Sequence, residues 1–145
     1  MSHEFSDYRH LLVPLDFTAR NDRALDAAHD MAAKSGARVS LIHVIEPVDE
    51  SDDEELQAFT RKLTDEAAEQ LQERAGRFGD LGIQVVCENP VGKRNAEIVN
   101  YAASQGVDLI LLNSHIITPD SREPAFSLSY QVALLAPCAV LLLKS

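Results

Sequence analysis

Residues 108–145 read DLILLNSHIITPDSREPAFSLSYQVALLAPCAVLLLKS, and this stretch decides the fold. Its first apolar run, 109–112, predicts a buried strand, and a polar loop follows it. Ser127 is expected to cap a short helix that ends at Leu135. A second apolar run, 140–143, predicts a last strand. A strand, a loop, a helix and another strand in this order are typical of an α/β domain.

The rest of the chain repeats this alternation of strand and helix. Strands are predicted at 10–15, 38–44, 83–88, 107–112 and 138–144, and helices at 21–35, 52–78, 95–105 and 128–135. We therefore expect an open, Rossmann-like sheet of five mostly parallel strands, with strand order 3-2-1-4-5 and helices on both faces. Since no linker or internal repeat divides the sequence, residues 1–145 are expected to form one domain.

The longest predicted helix carries one apolar stripe of the kind that faces a core. Its apolar residues recur at intervals of three and four, which is helical spacing. They are Leu56, Phe59, Leu63, Ala67, Leu71, Ala75 and Phe78. The S-x-x-E pattern from Ser51 to Glu54 predicts a capping box at the start of this helix.

Composition and charge exclude several classes of protein. The 145 residues are 46% hydrophobic and 25% charged, as in soluble globular proteins. No apolar run is long enough to span a membrane, and the opening MSHEFSDYRH is not a secretory signal, so a cytoplasmic location is expected. A net charge of −10 disfavours nucleic-acid binding. The acidic segment 46–55 is either a solvated linker and helix start, or an acidic docking site or salt adaptation.

Candidate metal and catalytic residues do not form a convincing pattern. Cys87 and Cys138 lie in apolar contexts without C-x-x-C spacing, so both are expected to be buried free thiols. His43 and His115 could approach each other at the carboxyl end of the sheet, but no third ligand has a fitting spacing. Serines lie near His115, yet no G-x-S-x-G elbow is present. We expect no metal site and no catalytic residues.

Four segments, in this order and spacing, resemble the universal stress protein family over nearly the whole chain. They are LVPLDFT (12–18), LIHV (41–44), VDLI (107–110) and APCAVL (136–141). The resemblance implies the family's adenine nucleotide alpha hydrolase-like fold. In ATP-binding members, the residue matching Asp16 contacts the ribose, while those matching Pro14 and Val44 line the adenine pocket. The alternative is that Pro14 and Val44 are ordinary strand residues and that Asp16 caps a turn.

The phosphate-binding half of the family's site is altered in this chain. The G-x2-G-x9-G-[ST] pattern of ATP-binding members falls, without gaps, on Asn113, Ile116, Phe126 and Ser127. Only the hydroxyl of Ser127 is kept, and side chains replace glycines that let a backbone approach phosphates. We expect a vestigial nucleotide cleft formed by Pro14, Asp16, Val44, Asn113 and Ser127. The expected cofactor is none, with weak binding of ATP or AMP as the alternative.

The resemblance is to the family branch without the glycine motif, the A-type proteins. It implies a non-catalytic, homodimeric stress-response protein that acts through contacts with unknown protein partners. The dimer is expected to form through the last strand, which begins at about Cys138 and ends at Lys144, because an exposed apolar edge favours pairing. The first alternative is a regulatory protein that binds ATP or AMP with a remodelled phosphate loop. A slow ATPase is the remaining alternative.

Overall fold

The computed structural model describes residues 8–47, 53–114 and 127–144. Along the chain, the elements are β1 (His10–Pro14), α1 (Asn21–Ser35), β2 (Arg38–Ile42), α2 (Glu54–Ala75), β3 (Val85–Glu88), α3 (Arg94–Ser104), β4 (Leu109–Ser114), α4 (Leu128–Leu135) and β5 (Ala139–Lys144). All four strand pairings are parallel, and the order is β3-β2-β1-β4-β5. The predicted α/β class and strand order are confirmed.

The sheet separates two hydrophobic cores, because successive strand side chains point to opposite faces. In β1, Leu11 and Val13 pack with Ala24 and Leu25 of α1 on one face. Leu12, between them, packs with residues of α3 and α4 on the other face, among them Ile98 and Val132. Both faces of the sheet are therefore covered by helices.

The start of α2 differs from the prediction. The helix begins at Glu54, and its N-cap is Asp53, whose side chain accepts a hydrogen bond of 2.9 Å from the Glu55 N–H. The prediction of a capping box from Ser51 is wrong, because the helix begins two residues later than predicted and Asp53 is its N-cap. Ser51 and Asp52 themselves lie outside the described residues.

The apolar stripe of α2 is buried only in its second half. Ala67 and Leu71 are buried, and so is Phe78 in the 3-10 turn that follows the helix, whereas Phe59 is 51% exposed. The helix has 22 residues and is about 33 Å long, while the neighbouring β2 has five residues and is about 17 Å long. The first turns of α2 therefore extend beyond the strands, and the prediction of a continuous core-facing stripe is wrong there.

The end of β4 lies two residues later than predicted. Asp108 precedes the strand, and its carboxylate accepts hydrogen bonds from the N–H groups of Arg9 (2.8 Å) and His10 (3.1 Å). The strand then continues to Ser114, which pairs with Lys144 of β5. Asn113 consequently lies inside a strand, although the sequence pattern placed it in the following loop.

A buried polar network joins the two central strands to α3 at the amino end of the sheet. His10 Nδ1 donates to the carbonyl of Gln105 (3.1 Å), so its Nε2 accepts from the Ser40 hydroxyl (2.7 Å). The Tyr101 hydroxyl lies 2.9 Å from the Ser40 oxygen and completes the chain of hydrogen bonds. Burial, followed by the positive charge of Arg38, lowers the pKa of His10 below 6.5. The fold therefore favours the neutral imidazole.

Two further predictions concern the cysteines and membrane spans. Cys87 and Cys138 are free thiols, as predicted, but both are half-buried rather than buried. Burial raises the pKa of each thiol, so neither is an activated thiolate. No helix in the described part of the chain combines the length and apolar character that a membrane span requires.

Candidate functional site

An open cleft lies at the carboxyl ends of the central strands, where β1 and β4 lead to helices on opposite faces of the sheet. This switch point is the usual ligand site of open parallel sheets. The cleft encloses about 490 Å³ of space that is open to solvent. Its described lining includes Pro14, Asp16, Val44 and Asn113, together with Arg94 and Ser129. Four of the five predicted site residues are therefore brought together.

The turn that holds Asp16 is fixed by one buried side chain. Asn21, at the start of α1, is 4% exposed, and its Oδ1 accepts hydrogen bonds from the N–H groups of Asp16 (3.0 Å) and Phe17 (2.8 Å). Phe17 has a φ of 65°, a left-handed conformation that is uncommon for a residue with a side chain. Asn21 therefore stabilises a strained turn at the mouth of the cleft.

Asp16 is an oriented carboxylate. Its Oδ1 accepts hydrogen bonds from the Thr18 N–H (2.9 Å) and the Thr18 hydroxyl (2.7 Å). Burial acts to raise the pKa of Asp16, but hydrogen bonds from Thr18 and the charge of Arg94 act against it, and the net pKa is lowered. Asp16 is thus ionised at neutral pH. The hydrogen bonds from Thr18 agree with the alternative prediction that Asp16 caps a turn. The other carboxylate oxygen, Oδ2, accepts no hydrogen bond from any described residue.

Val44 presents an unpaired backbone donor and acceptor to the cleft. The neighbouring N–H groups of His43 and Ile45 point toward the β3 side, where they donate to Glu88 (3.0 Å) and Pro90 (2.9 Å). Because backbone groups alternate along a strand, those of Val44 point toward β1, whose chain has already turned away. Val44 is 4% exposed, and neither its N–H nor its C=O has a partner within residues 8–47, 53–114 and 127–144. Buried backbone groups are rarely left unpaired, so this donor and acceptor could pair with water or with a bound molecule.

Asn113 and Ser127 lie differently from the sequence prediction. The Oδ1 atom of Asn113 is buried and has no hydrogen-bond partner among the described residues, and the backbone carbonyl of Asn113 accepts from the Ser129 hydroxyl (3.1 Å). Ser127 is the N-cap of α4, and its hydroxyl accepts from the Tyr130 N–H (3.3 Å). The prediction that Ser127 caps a helix is confirmed, but Ser127 is not among the described residues that line the cleft.

Arg94 was missed by the sequence reasoning. It is the first residue of α3, and its N–H donates to Glu46 Oε1 (2.9 Å). Its guanidinium makes no hydrogen bond or ion pair with another described side chain, although it lies close enough to lower the pKa of Asp16. The sequence did contain a signal for Arg94, because a cation that ends a strand-to-helix connection lies at the carboxyl edge of the sheet, where ligands bind.

A second, more open pocket lies on the other side of Val44 and encloses about 610 Å³. Phe17 stacks on His43 in its wall, with the ring centroids 4.3 Å apart. His43 donates through Nδ1 to the Leu15 carbonyl (2.7 Å). Among the residues that the structure describes, no group of three or more His, Cys, Asp or Glu side chains could hold a metal ion. Ile116, Phe126 and His115 lie outside that part of the chain.

Comparison with known proteins identifies sequence relatives. The model of the universal stress protein family matches residues 7–144. Universal stress protein YxiE of Bacillus subtilis (strain 168) is 27% identical over 150 residues, which cover 94% of this chain and 99% of YxiE. Universal stress protein MJ0577 of Methanocaldococcus jannaschii is 27% identical over 125 residues, which cover 74% of this chain and 77% of MJ0577.

Solved structures share the fold. The structure of MJ0577 matches with a TM-score of 0.82 and 27% identity, covering 96% of this chain and 97% of its own. A universal stress protein in complex with cAMP matches with a TM-score of 0.72 and 20% identity, covering 95% and 98%. This second likeness concerns the fold alone. Since the family model spans residues 7–144, the chain belongs to the universal stress protein family.

Proposed function

We propose that this universal stress protein is a non-catalytic, homodimeric stress-response protein that acts through contacts with other proteins. It would belong with the A-type branch, because Ile116 and Phe126 replace glycines of the ATP-binding pattern. The observation that carries the proposal is the edge of β5, which among the described strands pairs with β4 on one side only.

The β5 edge has the character of an interface. Its six residues all pair with β4, so the backbone groups on the opposite side of the strand face outward. Lys144 does not guard this edge, because its Nζ donates to Ser114 on the neighbouring strand (3.1 Å). Leu134 and Leu135, just before β5, are 65% and 60% exposed. A strand edge without a partner and exposed apolar side chains in the preceding helix favour antiparallel pairing of two copies about a two-fold axis.

Analytical ultracentrifugation tests the dimer. We expect the wild-type protein to sediment as a dimer at micromolar concentration. The double variant Leu134→Glu/Leu135→Glu should weaken the dimer by at least about tenfold, because it buries charge in an apolar contact. Phe59→Glu is the control, since it changes another exposed apolar side chain, on a helix far from β5 in the strand order, and should leave the dimer intact. A monomeric wild-type protein would refute the proposed assembly.

The second candidate is a regulatory protein that binds an adenine nucleotide, such as ATP or AMP, with a remodelled phosphate loop. The unpaired N–H and C=O of Val44 favour it, because an adjacent donor and acceptor complement the edge of an adenine ring. The ionised Asp16 could accept hydrogen bonds from ribose hydroxyls. A universal stress protein with the same fold has been solved in complex with cAMP, a nucleotide of this class.

Calorimetric titration with adenosine, AMP and ATP separates the two candidates. The first candidate, the homodimeric stress protein, is proposed not to bind ATP, so micromolar binding of ATP would contradict it. If the second candidate is correct, Asp16→Ala should weaken adenosine binding by about tenfold or more, since a charged hydrogen-bond acceptor is lost. Glu69→Gln removes a negative charge from the exposed side of α2 and serves as the control.

A further inference from the structure

We propose that Arg94 is the anion contact of the cleft, and that it makes the cleft select a nucleoside monophosphate over the bare nucleoside and over the triphosphate. This inference rests on the second candidate function, the binding of an adenine nucleotide. It assigns to α3 the phosphate recognition that glycines of the β4–α4 loop would otherwise provide.

Arg94 is positioned for this role by its own backbone. Its N–H donates to Glu46 (2.9 Å), which ties the first residue of α3 to the segment that follows β2. The residue lines the cleft together with Asp16 and Val44. Its exposed guanidinium has no hydrogen-bonded partner among the described side chains, so a ligand phosphate would not have to displace one. A planar guanidinium can donate two parallel hydrogen bonds to a phosphate.

The β4–α4 side of the cleft is less suited to an anion. Asn113 lies at the first glycine position of the family pattern, and its buried Oδ1 has no partner in the part of the chain that the structure describes. The Asn113 side chain is an uncharged amide, so it offers a phosphate no ion pair. Ser127, the retained hydroxyl, is engaged as the cap of α4. Phosphate is therefore expected at the α3 side of the cleft.

The charge of the site favours a single phosphate. Arg94 is the only basic residue among the described residues that line the cleft, and the ionised Asp16 lies beside it. Glu46 and Glu66 line the adjoining pocket together with Arg94. The phosphates beyond the first would meet no additional cation in the described lining and would be repelled by these carboxylates.

Calorimetric titrations of the wild-type protein, Arg94→Gln and Lys93→Gln test the inference. Lys93→Gln is the matched control, because it removes the same charge from the same helix end at an exposed residue that does not line the cleft. For the wild-type protein and Lys93→Gln, we expect AMP to bind about ten- to hundredfold more tightly than adenosine. We expect ATP to bind no more tightly than AMP. In Arg94→Gln, AMP and adenosine should bind equally.

Added salt provides a second measurement. Because an exposed charge contact is screened, AMP binding by the wild-type protein should weaken as salt rises, while adenosine binding should change little. In Arg94→Gln, this difference between the two ligands should disappear. Circular dichroism of each variant verifies that the fold is intact.

Three results would overturn the inference. If adenosine binds but AMP binds no more tightly, the role of Arg94 is wrong and the nucleoside site stands. If AMP keeps its advantage in Arg94→Gln, or if ATP binds more tightly than AMP, the anion contact lies elsewhere. If neither adenosine nor AMP binds at millimolar concentration, the second candidate function fails, and this inference fails with it.

Discussion

At the scale of single residues, the cleft depends on a few backbone groups whose hydrogen bonds are made or left unmade. Asn21 satisfies two N–H groups at the turn after β1, whereas the N–H and C=O of Val44 have no described partner. The first arrangement stabilises the unusual conformation of Phe17. The second costs stability unless a ligand binds, because buried polar groups lose their hydration. The mouth of the cleft therefore combines a strained turn that Asn21 stabilises with backbone groups of Val44 that could bind a ligand.

Replacing Asn21 tests this account of the turn. Asn21→Ala leaves two N–H groups without their acceptor, so we expect the free energy of unfolding to fall by about 1–3 kcal/mol. Asn21→Asp keeps an acceptor oxygen at the start of a helix, where negative charge is favourable, and should retain most of the stability. Urea denaturation followed by circular dichroism measures both. Equal losses in the two variants would show that the acceptor is not what matters.

At the scale of secondary-structure elements, α2 is anchored at one end only. Its carboxyl end and the following 3-10 turn contribute Leu71 and Phe78 to the core, while Phe59 near its start is half exposed. The helix is longer than the strand it covers, so its first turns have little sheet to pack against. The amphipathic pattern continues over this part, which is why the sequence alone predicted one uninterrupted stripe.

Two alanine substitutions distinguish the ends of α2. Phe78→Ala creates a cavity among fully buried residues and should lower the free energy of unfolding by about 3–5 kcal/mol. Phe59→Ala removes a ring that is 51% exposed, and should change it by less than about 1 kcal/mol. Chemical denaturation of both variants gives the comparison. A large loss for Phe59→Ala in the monomer would mean that the first turns of α2 pack more tightly than described.

At the scale of the whole molecule, the His10 network makes stability depend on pH. Burial and then Arg38 lower the pKa of His10 in the folded protein below its ordinary value of 6.5. Below pH 6.5 the unfolded chain therefore binds a proton more readily than the folded one. The stabilisation from neutral His10 is complete above pH 6.5, and it is lost as the pH falls from 6.5 through the folded pKa.

His10→Gln should flatten this profile. We expect the wild-type free energy of unfolding to decrease between pH 7 and pH 5 more steeply than that of the variant. Tyr101→Phe is the control, because it removes the outer hydrogen bond to Ser40 and leaves the imidazole in place. It should be less stable at each pH but keep the wild-type slope. Parallel slopes for wild-type protein and His10→Gln would contradict the assignment.

The sequence by itself determined the architecture of this protein. Apolar runs of four to six residues and helical apolar spacing predicted the five strands and four α-helices that the described residues form, because these patterns arise from local backbone geometry. The strand order followed from right-handed crossovers and the usual topology of such sheets. Element ends were less accurate, as β4 and α2 show, because a strand ends where its neighbour leaves and a helix packs only where a sheet lies beneath it. Family resemblance grouped Pro14, Asp16, Val44 and Asn113 as site residues, and the structure places these four around one cleft.

Only the tertiary structure decided what that cleft offers a ligand. The unpaired groups of Val44 depend on β1 turning away beside it, and the place of Arg94 depends on how α3 joins the segment after β2. Neither property can be predicted from a local stretch of sequence, because each depends on how segments that are distant in the chain pack together. Sequence periodicity specifies which face of an element is buried, whereas the packing of elements specifies which hydrogen bonds and charges remain unpaired.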